Sequence, residues 1–111
     1  MADDLEARRE YRVALELHRA LAAKLPTEHE RIRAIGHRNI AKMLESQLSP
    51  IARSWVDQWA ELLDGDPLQL KVAMLAPGLD AADMRQMAPF AGALTQEERI
   101  DAIQRANNVR S

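Results

Sequence analysis

The stretch SPIARSWVDQWAELLDGDP, residues 49–67, decides the fold class. Ser49 is placed to accept a hydrogen bond from the first turn of a helix, and Pro50 fills the first helical position, where a missing amide costs nothing. Behind them Ile51, Ala52, Trp55, Val56, Trp59, Leu62 and Leu63 fill one arc of a helical wheel, while Arg53, Asp57 and Glu61 fill the opposite arc. The spacing predicts an amphipathic helix with both tryptophans turned inward. Gly65 reads as its left-handed C-cap, and Asp66-Pro67 repeats the Ser49-Pro50 punctuation to open the next helix.

Upstream, Ala7, Tyr11, Ala14, Leu15, His18, Leu21, Ala22 and Leu25 recur at three- and four-residue steps, which predicts a helix from Asp3 to Leu25 that ends at Pro26. Asp3, Asp4 and Glu6 at its start and Lys24 at its end follow the charge order that complements a helix dipole. Thr27 and Glu30 have the spacing of a capping box, and the stripe Ile32, Ile35, Gly36, Asn39, Ile40, Met43 and Leu44 continues toward Leu48. With Pro26 and Thr27 as connector, the two long helices are expected to form an antiparallel hairpin over residues 3–48.

Downstream of Pro67, a short helix to about Ala76 carries Leu68, Val72 and Leu75 on one side and Leu70 and Met74 on the other. A helix that is apolar nearly all round belongs at a domain centre or in an interface. Pro77-Gly78 breaks it, Asp80 is positioned to cap a helix over Ala81–Met87, and Thr95 with Glu98 is a second capping-box spacing, opening a last helix from about Gln96 to Ala106. Residues 107–111 are expected to fray. The expected architecture is all-α: a long N-terminal hairpin followed by about four shorter helices over 49–107, packed at its end in one domain spanning 1–111.

Composition narrows the function. The 111 residues suffice for one core, no span approaches a membrane helix, and no apolar leader follows Met1, so a cytoplasmic protein is expected. Fifteen Lys and Arg against seventeen Asp and Glu leave a net charge of −2, without the basic excess of an autonomous nucleic-acid binder. With no cysteine, thiolate metal sites and cysteine nucleophiles are excluded. The sequence has no nucleophile elbow, glycine-rich phosphate loop or metalloprotease helix motif, and His18, His29 and His37 lack metal-ligand spacing. No catalytic residue, cofactor or metal is therefore expected. The simplest reading of His18, mid-stripe on the first helix, is a core histidine bonded to a backbone carbonyl or a facing polar residue. Asn39 is its expected counterpart across the hairpin, where the pair would set the register.

Two surfaces remain. Arg8, Arg12 and Arg19 share one arc of the first helix, and Arg31, Arg38 and Lys42 share one on the second. Such ridges could follow phosphates, with Arg85 and Gln86 as base readers in an alternative DNA-binding regulator. The segment Met84-Arg85-Gln86-Met87-Ala88-Pro89-Phe90 combines two methionines with the only phenylalanine, an adaptable apolar surface. Arg85, Gln86, Met87 and Phe90 are the expected anchors of a protein partner.

The paired tryptophans, Leu62-Leu63-Asp64-Gly65-Asp66-Pro67, then Arg85-Gln86-Met87-Ala88-Pro89-Phe90-Ala91-Gly92-Ala93-Leu94 with Glu98-Arg99 behind it, resemble small all-helical bacterial proteins associated with toxin–antitoxin operons and regulators. The likeness spans residues 15–103 and implies no active site. The resulting expectation is a non-catalytic, antitoxin-like or regulatory protein that masks a protein partner, such as a toxin, and that dimerises to complete its core.

Overall fold

A computed structural model describes residues 8–108. Among them are five α-helices: α1 (Arg9–Leu44), α2 (Pro50–Asp64), α3 (Pro67–Leu75), α4 (Leu79–Gln86) and α5 (Gln96–Asn107). The protein is all-helical, as its periodicity predicts. Residues 9–44 are two helical stretches that meet at a kink, with Pro26 just before it and Glu28 at the non-helical φ −127° and ψ 22°. Proline removes one amide and crowds the carbonyl four residues back, and such a defect kinks a helix where packing continues on both sides. The break expected at Pro26 falls two residues on, at Glu28, and the second stretch follows directly across the kink. Thr27 opens no capping box; its Oγ1 donates instead to the Lys24 carbonyl at 3.4 Å, the acceptor that regular i→i−4 pairing would give to the Glu28 amide. A straight 36-residue helix would measure about 54 Å, whereas the longest dimension of the molecule is 39 Å, so the kink is what lets α1 fit. The expected helix start at Asp3, with Asp4, Glu6 and Ala7, lies outside the described residues, as does the tail beyond Asn108.

All four shorter helices pack against α1, which is the surface on which the others assemble and not an arm with a cluster at its tip. Its buried residues Leu21, Ala22, Leu25, Ile32, Ile35 and Ile40 meet Val56, Trp59 and Leu63 of α2, Leu70 and Met74 of α3, and Phe90 and Ala93 of the connector before α5. The helix starts follow their local chemistry. Ser49 accepts from the Ala52 amide at 3.2 Å and Asp66 from the Leu68 amide at 2.8 Å, each followed by proline. Thr95 and Glu98 complete a reciprocal capping box at 2.8 and 3.1 Å. Two expected caps differ. Gly65 is extended, at φ −102°, and not left-handed. Asp80 caps nothing, because Gly78 takes that place at φ 101°, a backbone state that a turn between Pro77 and α4 demands and glycine alone adopts freely.

Polar side chains tie the later helices down. Glu98 receives Lys24 Nζ at 2.8 Å, and Arg105 Nε reaches the buried Glu16 at 3.2 Å, both fixing α5 on α1. Tyr11 donates its hydroxyl to Asp83 of α4 at 2.7 Å. Asp64, at the end of α2, accepts from His37 at 2.8 Å and Arg33 at 2.7 Å; the His37 and Arg33 bonds hold its carboxyl below the usual range. At Gly36 the backbone of α1 lies close against α2. A Cβ there would stand 2.6 Å from Leu63 Cδ1, and Leu63 is fully buried. Gly36→Ala is expected to destabilise the protein by about 1–2 kcal/mol in urea unfolding, overpacking outweighing the gain in helix propensity; a stabilised variant would show that Leu63 has room to move.

Candidate functional site

The centre of the molecule is a triangle of rings. His18, from the first half of α1, is 4% exposed. It stacks on Trp59 of α2, with centroids 5.8 Å apart and planes at 24°, and meets Phe90 edge-on at 5.8 Å. Trp59 and Phe90 are themselves edge-to-face at 5.3 Å, the geometry that ring quadrupoles favour. Trp59 Nε1 donates to the Met84 carbonyl at 2.9 Å, so the indole is buried with its one donor satisfied. Trp55, expected inside as well, is only half-buried.

His18 Nδ1 lies 2.7 Å from the Ala14 carbonyl. A carbonyl only accepts, so Nδ1 carries the hydrogen and Nε2 is the lone-pair nitrogen. Nε2 has no hydrogen-bond partner. Burial pushes the imidazole down to about 4; the Ala14 bond opposes this and the charge of Arg85 adds to it. His18 is neutral at pH 7. The backbone-carbonyl reading of His18 thus holds, whereas the expected pairing with Asn39 does not form. Asn39 Nδ2 donates to the Pro89 and Ala91 carbonyls, both at 2.9 Å, and so clamps the connector against α1. Arg31 adds a third clamp at the Ala93 carbonyl, 3.0 Å. Gly92 at φ 92° provides the turn.

The four expected anchor residues separate. Phe90 and Arg85 are each 6% exposed and belong to the interior, not to an accessible surface. Phe90 closes the ring triangle. Arg85 Nη1 donates to the carbonyls of Met74 at 3.3 Å and Ala76 at 2.8 Å, groups at the C-terminal end of α3, where the last carbonyls of a helix have no intrahelical donor. Met87 is half-buried, and Gln86, which is exposed, donates to the Glu10 carbonyl at 3.2 Å. The basic ridge is also divided: Arg38 and Lys42 are exposed, but Arg31 is held by Ala93 and by Glu28 at 3.0 Å.

Two other features stand out. A cavity of about 210 Å³ opens beside His18, between α1, the start of the connector and Arg99 of α5; Phe90 and Arg85 help wall it and its lining is otherwise small and aliphatic. On the opposite kind of surface, Leu68 and Val72 of α3 are 68% and 69% exposed, one helical turn apart, and Ile51 of α2 is 60% exposed. The all-round apolar pattern of residues 68–75 signalled the second feature. Nothing in the sequence signals the cavity, which exists only where α1, α4, the connector and α5 meet. Among the described residues no group of three or more His, Asp or Glu side chains is placed to hold a metal, and no helix is long and apolar enough to cross a membrane. A scan against family models and searches of curated proteins and of solved structures find no match to this chain.

Two outcomes test the site. Phe90→Ala is expected to cost about 3–5 kcal/mol in denaturant unfolding, the range for emptying an aromatic core position; a loss below about 1 kcal/mol would place Phe90 outside the core. Below pH 6.5 the unfolded chain protonates His18 while the folded chain does not until about 4. Stability from this group is therefore whole above pH 6.5 and is lost as the pH falls toward 4, by about 3 kcal/mol. His18→Leu should flatten that acid limb, and an unchanged limb in the variant would refute the burial argument.

Proposed function

We propose that the chain is a non-catalytic interaction module, antitoxin-like or regulatory, that binds a protein partner through its C-terminal helical cluster. The observation that supports this reading most directly is the outer face of α3. Leu70 and Met74 are fully buried, yet Leu68 and Val72 on the same nine-residue helix stand more than two-thirds exposed. Exposing two large aliphatics side by side is costly for a monomer and is a usual mark of an interface. Beside α3 lies a groove toward α2 and α4, of mixed polarity, lined by Ile51, Ser54, Trp55, Gln58, Ala73, Asp80 and Met84 among others, while on the outer face itself a partner helix would find Leu68 and Val72 spaced one turn apart. The contact residues in this reading are Leu68, Val72 and Ile51, while Arg85 and Phe90 act from inside by holding α3 and the connector in place.

Leu68→Glu combined with Val72→Glu should leave helicity unchanged and shift the melting temperature by no more than about 4 °C, since neither side chain is buried. Affinity purification from the native host with nuclease-treated samples should recover a stoichiometric partner with the wild type and lose it with this variant. Retention of the same partner, or recovery of nuclease-sensitive nucleic acid alone, would overturn the reading.

A further inference from the structure

The groove beside α3 is built by three helices. Two cavities of about 450 Å³ each share Gln58, Ala73 and Met84 and so run into one another. Ile51, Trp55, Gln58 and Leu62 form the α2 side at steps of four, three and four residues, a stripe separate from the buried Val56, Trp59 and Leu63. From Ile51 to Leu62 that side runs about 16 Å, roughly three turns of helix. Across from it α3 contributes Gln69, Ala73 and Ala76, and α4 contributes Ala81 and Met84. Alanines let another backbone come close, and methionine adapts its unbranched side chain to what arrives. Such a trough suits a helix laid along α2.

Its charge is one-sided. Glu61 borders one cavity and Asp80 the other, and no Lys or His and no exposed Arg lines either. Elsewhere Asp57 pairs with Arg53 and Asp64 with Arg33, but among the described residues the side chains of Glu61 and Asp80 have no ion-pair or hydrogen-bond partner. The basic residues nearest in sequence face elsewhere. Arg53 and Lys71 are the only ones on α2 and α3, and each stands two positions from the groove residues on either side of it, about 200° round its helix. Arg85 of α4 is buried against the Met74 and Ala76 carbonyls. An occupant therefore meets a partly apolar floor between two unpaired carboxylates. This chain offers no segment of that kind. Residues 1–7 carry Asp3, Asp4 and Glu6 and no basic side chain, and residues 109–111 are too few for one helical turn. In a second copy the exposed Arg38 and Lys42 sit on α1, whose apolar side is buried in its own core.

We propose that this groove docks an amphipathic helix of a partner protein, about three turns long, with its apolar stripe on Trp55, Leu62, Ala73 and Met84 and its flanking lysines or arginines facing Glu61 and Asp80. The inference rests on the reading of the chain as an interaction module and supplies the chemistry of the partner, on a surface other than Leu68 and Val72.

The test uses a leucine–lysine peptide patterned as an amphipathic helix, titrated into the full chain and followed by NMR and by fluorescence anisotropy. Two controls accompany it: the same composition reordered so that no apolar face forms, and a leucine–glutamate peptide of the same pattern. The amphipathic lysine peptide should shift the amides of Trp55, Gln58, Ala73 and Met84 saturably, and neither control should saturate. Glu61→Gln combined with Asp80→Asn, both at exposed positions, should weaken the peptide about fivefold at low salt, the size that two exposed ion pairs carry, and reduce its sensitivity to added salt. Ala73→Lys puts bulk and a like charge where the two cavities join and should abolish binding. Leu68→Gln with Val72→Gln should leave it unchanged, and loss of the peptide there would overturn the groove as a separate surface. Saturable binding of either control, shifts centred outside the groove, or full affinity in the Glu61/Asp80 double variant would overturn the proposal. Concentration-dependent shifts of the same amides without peptide would do so too, by giving the groove to a second copy. No peptide binding with a native partner still recovered would remove the groove alone, whereas peptide binding with no native partner recovered would remove the interaction reading and keep the groove.

Discussion

The packing of His18, Trp59 and Phe90 is the contact on which the rest of the structure depends. Each ring comes from a different part of the chain: the first half of α1, the middle of α2 and the connector before α5. Their mutual contact therefore fixes three segments at once. Because two of the rings carry polar atoms, the cluster is directional as well as apolar. Trp59 reaches the last turn of α4 through Met84, and His18 turns its hydrogen back onto its own helix at Ala14. The consequence is a core whose centre includes one neutral histidine with a free lone pair, an arrangement that a purely aliphatic centre would not have.

The kink in α1 makes that cluster possible. Without a bend the helix would outrun the molecule, and Ile32, Ile35 and Ile40 could not share a core with Leu21, Ala22 and Leu25. Pro26 supplies the defect, and side chains on both sides of it hold the result. Lys24 bonds Glu98 across to α5 and pairs with Glu28 at 3.4 Å, while Asn39 and Arg31 grip the connector beyond the bend. Several of these bonds are to main-chain carbonyls in irregular backbone, where a donor from a rigid helix satisfies groups that no secondary structure would.

The same economy explains Arg85. A nearly buried arginine is uncommon, and its placement follows from the end of α3, whose final carbonyls have no intrahelical donor. By satisfying the Met74 and Ala76 carbonyls it lets α3 stop abruptly and turn through Gly78 into α4. That fixes which side of α3 faces inward, and so leaves Leu68 and Val72 outside.

Local signals were enough to determine much of this protein. The all-helical class, the caps at Ser49, Asp66 and Thr95, and the inward face of Trp59 and Leu63 are set by residues within a turn of one another, and short-range hydrogen bonds and periodicity report such features faithfully. The polarity of α3 was legible too, though not which side would be buried, because both sides are apolar and only its neighbours break the tie. Beyond this, tertiary structure decided. Pro26 reads as a helix boundary, and the break does fall beside it, at Glu28, but how the two stretches are set against each other is decided by the helices packed on both. Arg85 and Phe90 look like surface anchors in a short methionine-rich segment, and are internal because the end of α3 and the rings of His18 and Trp59 claim them. The cavity beside His18 is bounded by groups from α1, α4, the connector and α5, residues 14–21 and 85–99; no local pattern encodes a space that exists only between segments so far apart in the chain.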